Sequence, residues 1–477
     1  MRPRTMTELV ELMQPAPVEL FGDDAMAGPD VIIDNRATTP GALFVAIPGE
    51  RVDGHDFAAA AAEAGAAGVI GTAVTSAPVP HILAEDSVAA LSWLARGIVR
   101  EARARGMVSI GVTGSSGKTS TKDLMAQVFE AAGPTVAPVG SQNNEVGVPL
   151  TACRVGDDTA FLVSELGARG VGHIAWLTSL VGLDVGVCLN VGRAHVGEFG
   201  GVEATARAKS EIVADLAGDG WAVLNADDPA VAAMSGATRA RIAWFGEGDL
   251  RGGDLRVTAR NVTLNALSQA SFELVVDDGH GERTAPVSLR VIGRHQVGNS
   301  LAAAAAALAA GLDLGLIATA LSGASPRSGW RMELHPRADG VLILNDAYNA
   351  NPDSMAVALA TAVELGQGSR AEHPAARVVA VLGDMLELGP LAPELHEELG
   401  RLAADLGVAE VVAVGGLAEH VVAGAAAEGL PARVSDRASV AASLSLGPGD
   451  VVLIKGSRGV GLETVAAELA DGNGGAK

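Results

Sequence analysis

The stretch Ser109–Thr121, reading S-I-G-V-T-G-S-S-G-K-T-S-T, constrains this chain more than any other. A short β-branched run (Ile110, Val112, Thr113) meets a glycine turn and continues into the helix-compatible segment Lys122–Ala131. Strand, glycine loop and helix in that order are the setting of a phosphate cradle. Gly114 and Gly117 leave backbone N–H groups free to converge on phosphate oxygens, and the helix N-terminus adds unpaired donors and its positive dipole end. Ser115, Ser116 and Ser120 belong to the same cradle, Lys118 supplies a mobile positive charge, and the Thr119 hydroxyl is placed to ligate Mg²⁺. The loop is a shortened form, because Val112 stands where the full G-x-x-x-x-G-K-[ST] pattern has its first glycine.

On both sides of this loop the chain alternates short apolar runs with helical patterns, which predicts an α/β protein built on parallel sheets. Leu43–Ile47 and Gly68–Ile70 read as strands of a small N-terminal α/β unit, closed by a long helix over Ser87–Arg105 that stops at Gly106. After the phosphate loop, Phe161–Glu165, Val185–Val191 and Trp221–Asn225 are strands whose carboxyl ends carry Glu165, Asn190 and Asn225, where ligands of such sheets bind. Asp254–Ile292 changes to short alternating segments and predicts a β-rich insertion, followed by helix over His295–Ala320 and a linker over Ser322–Gly329. Val341–Asn345, Val378–Leu382, Val411–Val414 and Val451–Ile454 then predict a second parallel sheet of Rossmann-like type. The expected division is three domains, 1–106, 107–324 and 325–477, with the ATPase-like phosphate loop in the central one.

A formal charge of −22 argues against a nucleic-acid surface, so a polyanionic substrate must meet particular Lys and Arg residues inside clefts. The two cysteines, Cys153 and Cys188, form no CxxC pair and fit a reducing compartment. No apolar leader follows Arg2 and Arg4, and the longest apolar tract, Leu301–Leu312, is too short to span a bilayer. A cytoplasmic protein without membrane insertion is expected.

Thr119 and Glu165 are the natural oxygen ligands for one Mg²⁺. His195, in the glycine-flanked loop Asn190–Gly200, and Lys209, on a helical segment, carry no catalytic claim by themselves, and a lysine on a helix reads first as a surface charge. Gly293–Asn299 (G-R-H-Q-V-G-N), Arg331 and Asn345–Pro352 (N-D-A-Y-N-A-N-P) offer polar clusters for a base or ribose, although asparagines before proline also serve turns and caps.

Taken together these residues resemble the Mur ligase family. The likeness runs in one order along nearly the whole chain: Asp34-Asn35-Arg36, T-G-S-S-G-K-T, Ser141–Pro149 (S-Q-N-N-E-V-G-V-P), Glu165-Leu166-Gly167, Asn190–His195, Lys209, G-R-H-Q-V-G-N, Arg331, N-D-A-Y-N-A-N-P and Leu382–Gly389 (L-G-D-M-L-E-L-G). The last two motifs point to the branch that adds D-alanyl-D-alanine. The resemblance implies that the three domains bind a UDP-sugar peptide, ATP and the incoming amine. It also implies that the chain joins UDP-MurNAc-tripeptide to D-Ala-D-Ala through an acyl phosphate, with ATP and two Mg²⁺ ions; a monomer is expected.

By the same likeness Lys118 meets the transferred phosphoryl group, Thr119 and Glu165 hold the first Mg²⁺, and His195 helps bind the second. Lys209 matches the lysine that the family can carry as a carbamate, which turns a cation into an oxygen ligand. Asn299, Arg331, Asp346 and Tyr348 would surround the nucleotide. Asn35, Arg36, Gln142, Asn143, Asn144 and Glu145 would meet the UDP-sugar peptide, and Lys455, Ser457 and Arg458 the dipeptide carboxylate. Asn35 and Ser116 replace the serine and asparagine common in relatives, and both can still hydrogen-bond. A sibling ligase adding one amino acid, or glutamate to folate, shares the central motifs, and a nucleotide-binding scaffold would share the fold. The C-terminal third lacks an Asp-Asn-Pro-Arg motif, which argues against the diaminopimelate-adding relative.

Overall fold

The apolar runs Phe161–Glu165 and Trp221–Asn225 are strands over those same residues. They lie inside a nine-stranded sheet in the computed structural model, which describes residues 1–49, 51–192 and 201–472. From one edge the strands are Thr135–Val136, Phe161–Glu165, Val108–Thr113, Val185–Cys188, Trp221–Asn225, Arg241–Phe245 and Leu255–Leu264, all parallel. Gln269–Asp277 and Glu282–Ile292 complete it in antiparallel register. The β-rich stretch is therefore an extension of the central sheet. Its first strand, Leu255–Leu264, pairs parallel on one side and antiparallel on the other.

The phosphate-loop helix begins earlier than its composition suggests, at Lys118, and runs to Glu130. Its face packs on the helix Gln296–Ala309, whose run of buried alanines lets the two axes approach closely. The helical stretch expected over His295–Ala320 is broken after Ala309 by Gly311 at φ +87° and restarts at Leu314 under an Asp313 cap. The strand expected over Val185–Val191 stops at Cys188, so that Leu189–Gly192 are free to fold over the phosphate loop.

The N-terminal sheet has five strands, in the order Glu19–Phe21, His81–Leu83, Gly68–Gly71, Leu43–Val45, Val31–Ile32, with only the first pair antiparallel. The helix Ser87–Ala104 is capped by Asp86 and buries one side against the helix Met6–Met13 and another against the central helices Gly147–Ala152 and His173–Val181. One continuous apolar cluster, including Leu9, Leu94, Ile98, Ala152, Ile174 and Leu177, thus joins the first two sheets.

The third sheet holds the four expected parallel strands and two more at its edges. Its order is Glu333–Pro336, Leu342–Asn345, Val451–Lys455, Val378–Gly383, Glu410–Val414, Ala432–Val434, with the first pair antiparallel. The carboxyl ends of Val108–Thr113 and Phe161–Glu165 and those of Leu342–Asn345 and Val451–Lys455 contribute to one cleft.

Candidate active site

Gly117 caps the phosphate-loop helix at φ +78°, a left-handed conformation that favours glycine, and a Cβ there would meet Asn299 Oδ1 at 2.8 Å. Asn190, just past a strand end, stitches the loop in place. It accepts from Ser115 N through its carbonyl (3.1 Å) and from Ser116 N through Oδ1 (2.9 Å), while Ser115 Oγ accepts from Gly192 N (2.9 Å). Lys118 Nζ donates to Gly114 O at 2.6 Å, folding the ammonium back over the loop. Desolvation lowers the Lys118 pKa; the Glu165 carboxylate opposes that shift and Arg331 adds to it.

Glu165 is fully buried. Its Oε1 accepts from Thr119 Oγ1 (3.2 Å), Ser141 Oγ (2.9 Å) and Asn143 Nδ2 (2.8 Å). Its Oε2 is buried with no hydrogen-bond partner. A carboxylate oxygen in that state is costly unless a cation faces it. Carboxylate and hydroxyl oxygens are the hard donors that suit Mg²⁺, so Thr119 and Glu165 fit that ion.

Lys209 lies on the helix Val202–Ala214 and is only 4% exposed, so the surface reading of this lysine is wrong. Burial, and then the nearby Lys118 charge, bring its pKa down to about 7. The helix turns this residue inward, which composition could not show. His195 lies outside the described residues.

The opposite wall comes from the third sheet. Asp346 Oδ2 accepts from Lys455 Nζ at 2.6 Å, and Asp346 Oδ1 accepts from Met332 N at 3.1 Å. The Arg331 guanidinium stacks 4.2 Å from the Tyr348 ring centre, with its Nε buried and unpartnered. Asn299 accepts from Thr121 Oγ1 at 3.2 Å and donates to Gln296 at 2.9 Å. A cavity of about 520 Å³ is lined by Ser115, Ser116, Gly117, Lys118, Thr119, Ser120, Glu165, Lys209, Asn299, Arg331, Asp346 and Tyr348, with Asn143, Asn144 and Lys455.

The remaining expected contacts lie outside that lining. Gly114 sits beneath the loop, with Leu189 Cβ 2.9 Å from where its own Cβ would be. Asn35, half-buried, and the exposed Arg36 form a short turn in which Arg36 is bound to Asp34 at 2.6 Å. Gln142 accepts from Thr151, and Glu145 pairs with Arg169 at 2.7 Å. Lys455 does line the cavity, but its ammonium is held by Asp346 and by Asn349 O (2.8 Å), as a buried cation requires. Ser457 Oγ accepts from Leu386 N, and Arg458 packs over the rings of Trp330 and Tyr348.

Arg169 and His173 line the cavity without having been singled out from sequence, and so do His295 of the G-R-H-Q-V-G-N cluster and Glu387 of the L-G-D-M-L-E-L-G motif, which were noted only within those stretches. Arg169 lies in the glycine-rich loop after Glu165 and His173 opens the helix that follows it, and their position beyond a strand's carboxyl end was the available signal. His295 has a buried, unpartnered Nδ1, and burial lowers its pKa to about 4.

Three family profiles match the chain in series: the Mur ligase family catalytic domain over 30–98, the Mur ligase middle domain over 112–307, and the Mur ligase glutamate ligase domain over 330–458. A Mycobacterium tuberculosis protein named UDP-N-acetylmuramoyl-tripeptide–D-alanyl-D-alanine ligase is 41% identical, with 98% of this chain and 97% of that one aligned. The chain belongs to the Mur ligase family. Among solved Mur ligases, MurF from Acinetobacter baumannii superposes with a TM-score of 0.84 at 30% identity over 99% of both chains. MurF from Thermotoga maritima, determined in complex with ADP, gives 0.74 at 26% identity over 93% of this chain and 97% of that one.

Proposed function

We propose that this chain is an ATP-dependent ligase that joins the terminal carboxylate of UDP-N-acetylmuramoyl-tripeptide to the amine of D-alanyl-D-alanine, releasing ADP and phosphate for peptidoglycan precursor synthesis. The observation that carries the reading is the buried Glu165 with its orphaned Oε2, set beside Thr119 and a phosphate loop whose lysine faces the same cleft. A carboxylate is a poor electrophile until one oxygen carries a phosphoryl group, and phosphoryl transfer is catalysed mainly by positioning and by cations facing the developing charge.

Lys118 places its ammonium where the transferred phosphoryl group passes. The loop N–H groups bind the nucleotide phosphates, while Arg331, Tyr348 and Asn299 hold the rest of the nucleotide and Asp346 fixes the wall. Asn143 and Asn144 orient the UDP-peptide beside Glu165. Thr119 and Glu165 would hold one Mg²⁺, and Lys209, as a carbamate, would contribute to a second with His195. Bound there, the ions would neutralise charge on the phosphate oxygens. An amine that is neutral near pH 7 is the form that reacts with CO₂, and Lys209 meets that requirement. The acyl phosphate is then attacked by the dipeptide amine, and phosphate leaves. Closing the cleft around the reactants excludes water that would otherwise hydrolyse the acyl phosphate. No described helix is long and apolar enough to cross a membrane, and a monomer acting in the cytoplasm fits this reading.

The test is coupled ADP release. Turnover should require both UDP-MurNAc-tripeptide and D-Ala-D-Ala together with Mg²⁺. Turnover with a free amino acid instead of the dipeptide would move the chain to a sibling activity, and none with any acceptor would leave only a nucleotide-binding scaffold.

A further inference from the structure

The turn that follows the strand Val378–Gly383 brings Glu387 to the cavity wall. Glu387 adopts φ +65°, a left-handed conformation that a non-glycine residue keeps only where its surroundings over-determine it. Those surroundings are specific. Met385 and Leu388 are buried, and the Asp384 carboxylate accepts from Gly416 N (2.8 Å) and Leu417 N (3.0 Å). Leu386 N donates to Ser457 Oγ at 3.0 Å, and Met385 N donates to His396 Nε2 at 3.0 Å.

His396 is fully buried on the helix Ala392–Asp405, and its Nδ1 lies 2.6 Å from Ala392 O. A carbonyl can only accept and an amide N–H can only donate. Both contacts are therefore satisfied by a single form of the ring, with the proton on Nδ1 and the lone pair on Nε2. A doubly protonated ring would turn an N–H toward the Met385 N–H. Burial pushes the His396 pKa down; Ala392 O and the Asp384 carboxylate oppose that shift, and His420 on the helix Ala418–Ala427 adds to it.

We propose that His396 is a positioning residue for the ligase reaction: its neutral Nδ1–H form fixes the Asp384–Gly389 turn and thereby sets Glu387 for the incoming dipeptide amine. The proposal rests on the reading of the chain as a D-alanyl-D-alanine ligase whose third sheet faces that amine. It also gives the L-G-D-M-L-E-L-G motif a physical role, since the turn's backbone is held by His396 and Ser457 and its Asp384 side chain by a third segment.

The experiment compares wild type, His396→Phe and His396→Gln in the full chain, with ADP release measured against D-Ala-D-Ala and against ATP. Phenylalanine fills the site but accepts nothing, whereas the glutamine carbonyl can accept from Met385 N. His396→Phe should raise KM for the dipeptide about tenfold, leave KM for ATP within about twofold, and be rescued to within about threefold of wild type by glutamine. Nitrogen-15 spectra of the wild-type histidines should show His396 as the Nδ1–H tautomer at neutral pH. An unchanged dipeptide KM in a folded His396→Phe protein, or a ring found as Nε2–H or doubly protonated, overturns the proposal. If the phenylalanine variant does not fold, the wild-type tautomer and the dipeptide KM of His396→Gln, expected near wild type, decide. A wild type that turns over without the dipeptide defeats the functional reading itself, which separates that failure from the failure of the His396 role.

Discussion

Lys455 Nζ lies 2.6 Å from Asp346 Oδ2, with both side chains buried where the third sheet meets the cleft. Burial lowers the Lys455 pKa, and the Asp346 carboxylate opposes that shift. Removing one partner leaves the other as an uncompensated buried charge. Lys455→Met should therefore lower stability by about 3–5 kcal/mol, and the double variant Asp346→Asn/Lys455→Met should recover most of that loss. Urea unfolding of the two singles and the double checks it, and strictly additive losses would contradict the pairing.

Glu165→Gln separates stability from activity. The amide keeps one oxygen to accept from Thr119, Ser141 and Asn143, and it replaces the unpartnered Oε2 with a neutral group. Its unfolding free energy should stay close to that of wild type, because the three hydrogen bonds to Oε1 are kept and only the oxygen without a hydrogen-bond partner is replaced. ADP release should fall at least about 100-fold if Glu165 holds Mg²⁺ as proposed, since that site would lose a ligand. The pair of measurements is a thermal melt and a Mg²⁺ titration of turnover, and retained turnover would exclude Glu165 as a ligand.

Lys209 makes a prediction with a definite sign. Between pH about 7 and its ordinary value of 10.5, the folded chain holds this amine neutral while the unfolded chain keeps it charged. The unfolded state then binds more protons, so the cost of burying Lys209 is full near and below pH 7 and is relieved as pH rises through that window. Lys209→Met should be more stable than wild type at neutral pH, with the difference shrinking as pH approaches 10.5. Under ¹³C-bicarbonate, wild type should show a carbamate resonance that the variant lacks, and bicarbonate should not restore the variant's turnover.

The buried parallel strands were legible because a strand covered on both faces is a continuous apolar run ending in polar residues, as in Phe161–Glu165 and Trp221–Asn225. Edge strands such as Val31–Ile32 and Glu333–Pro336 were not, being two and four residues long, the second carrying a proline. In the site, Thr119 and Glu165 could be paired because one opens the helix after the phosphate loop and the other ends a strand at the same sheet edge. The burial of Lys209, the turn of Arg169 and His173 into the cleft, and the Lys455–Asp346 pair depend on tertiary packing that local spacing does not encode.

The phosphate-loop helix also grips the segment that leads to the third sheet. Asp123, Gln127 and Glu130 lie on one helical face at i, i+4 and i+7. Asp123 Oδ2 accepts from Ser328 N at 3.0 Å, Gln127 exchanges two 3.0 Å bonds with Ser325, and Glu130 takes Arg327 in a fork at 2.6 and 2.5 Å. Beyond these anchors Trp330 (φ +58°) and Met332 (φ +50°) flank Arg331, so its presentation to the cleft depends on a strained path fixed from behind. The anchors differ in worth. The Glu130–Arg327 pair is exposed, and Glu130→Ala should cost no more than about 1 kcal/mol. Asp123 is also bonded to the buried Lys122, and Asp123→Ala should cost about 3 kcal/mol or more. Because the segment leading to Arg331 then loses the nearest of its three anchors, the same variant should bind a non-hydrolysable ATP analogue about tenfold more weakly. Calorimetric titration of both variants measures this, and equal nucleotide affinity in wild type and Asp123→Ala would show that the linker clamp does not reach the nucleotide.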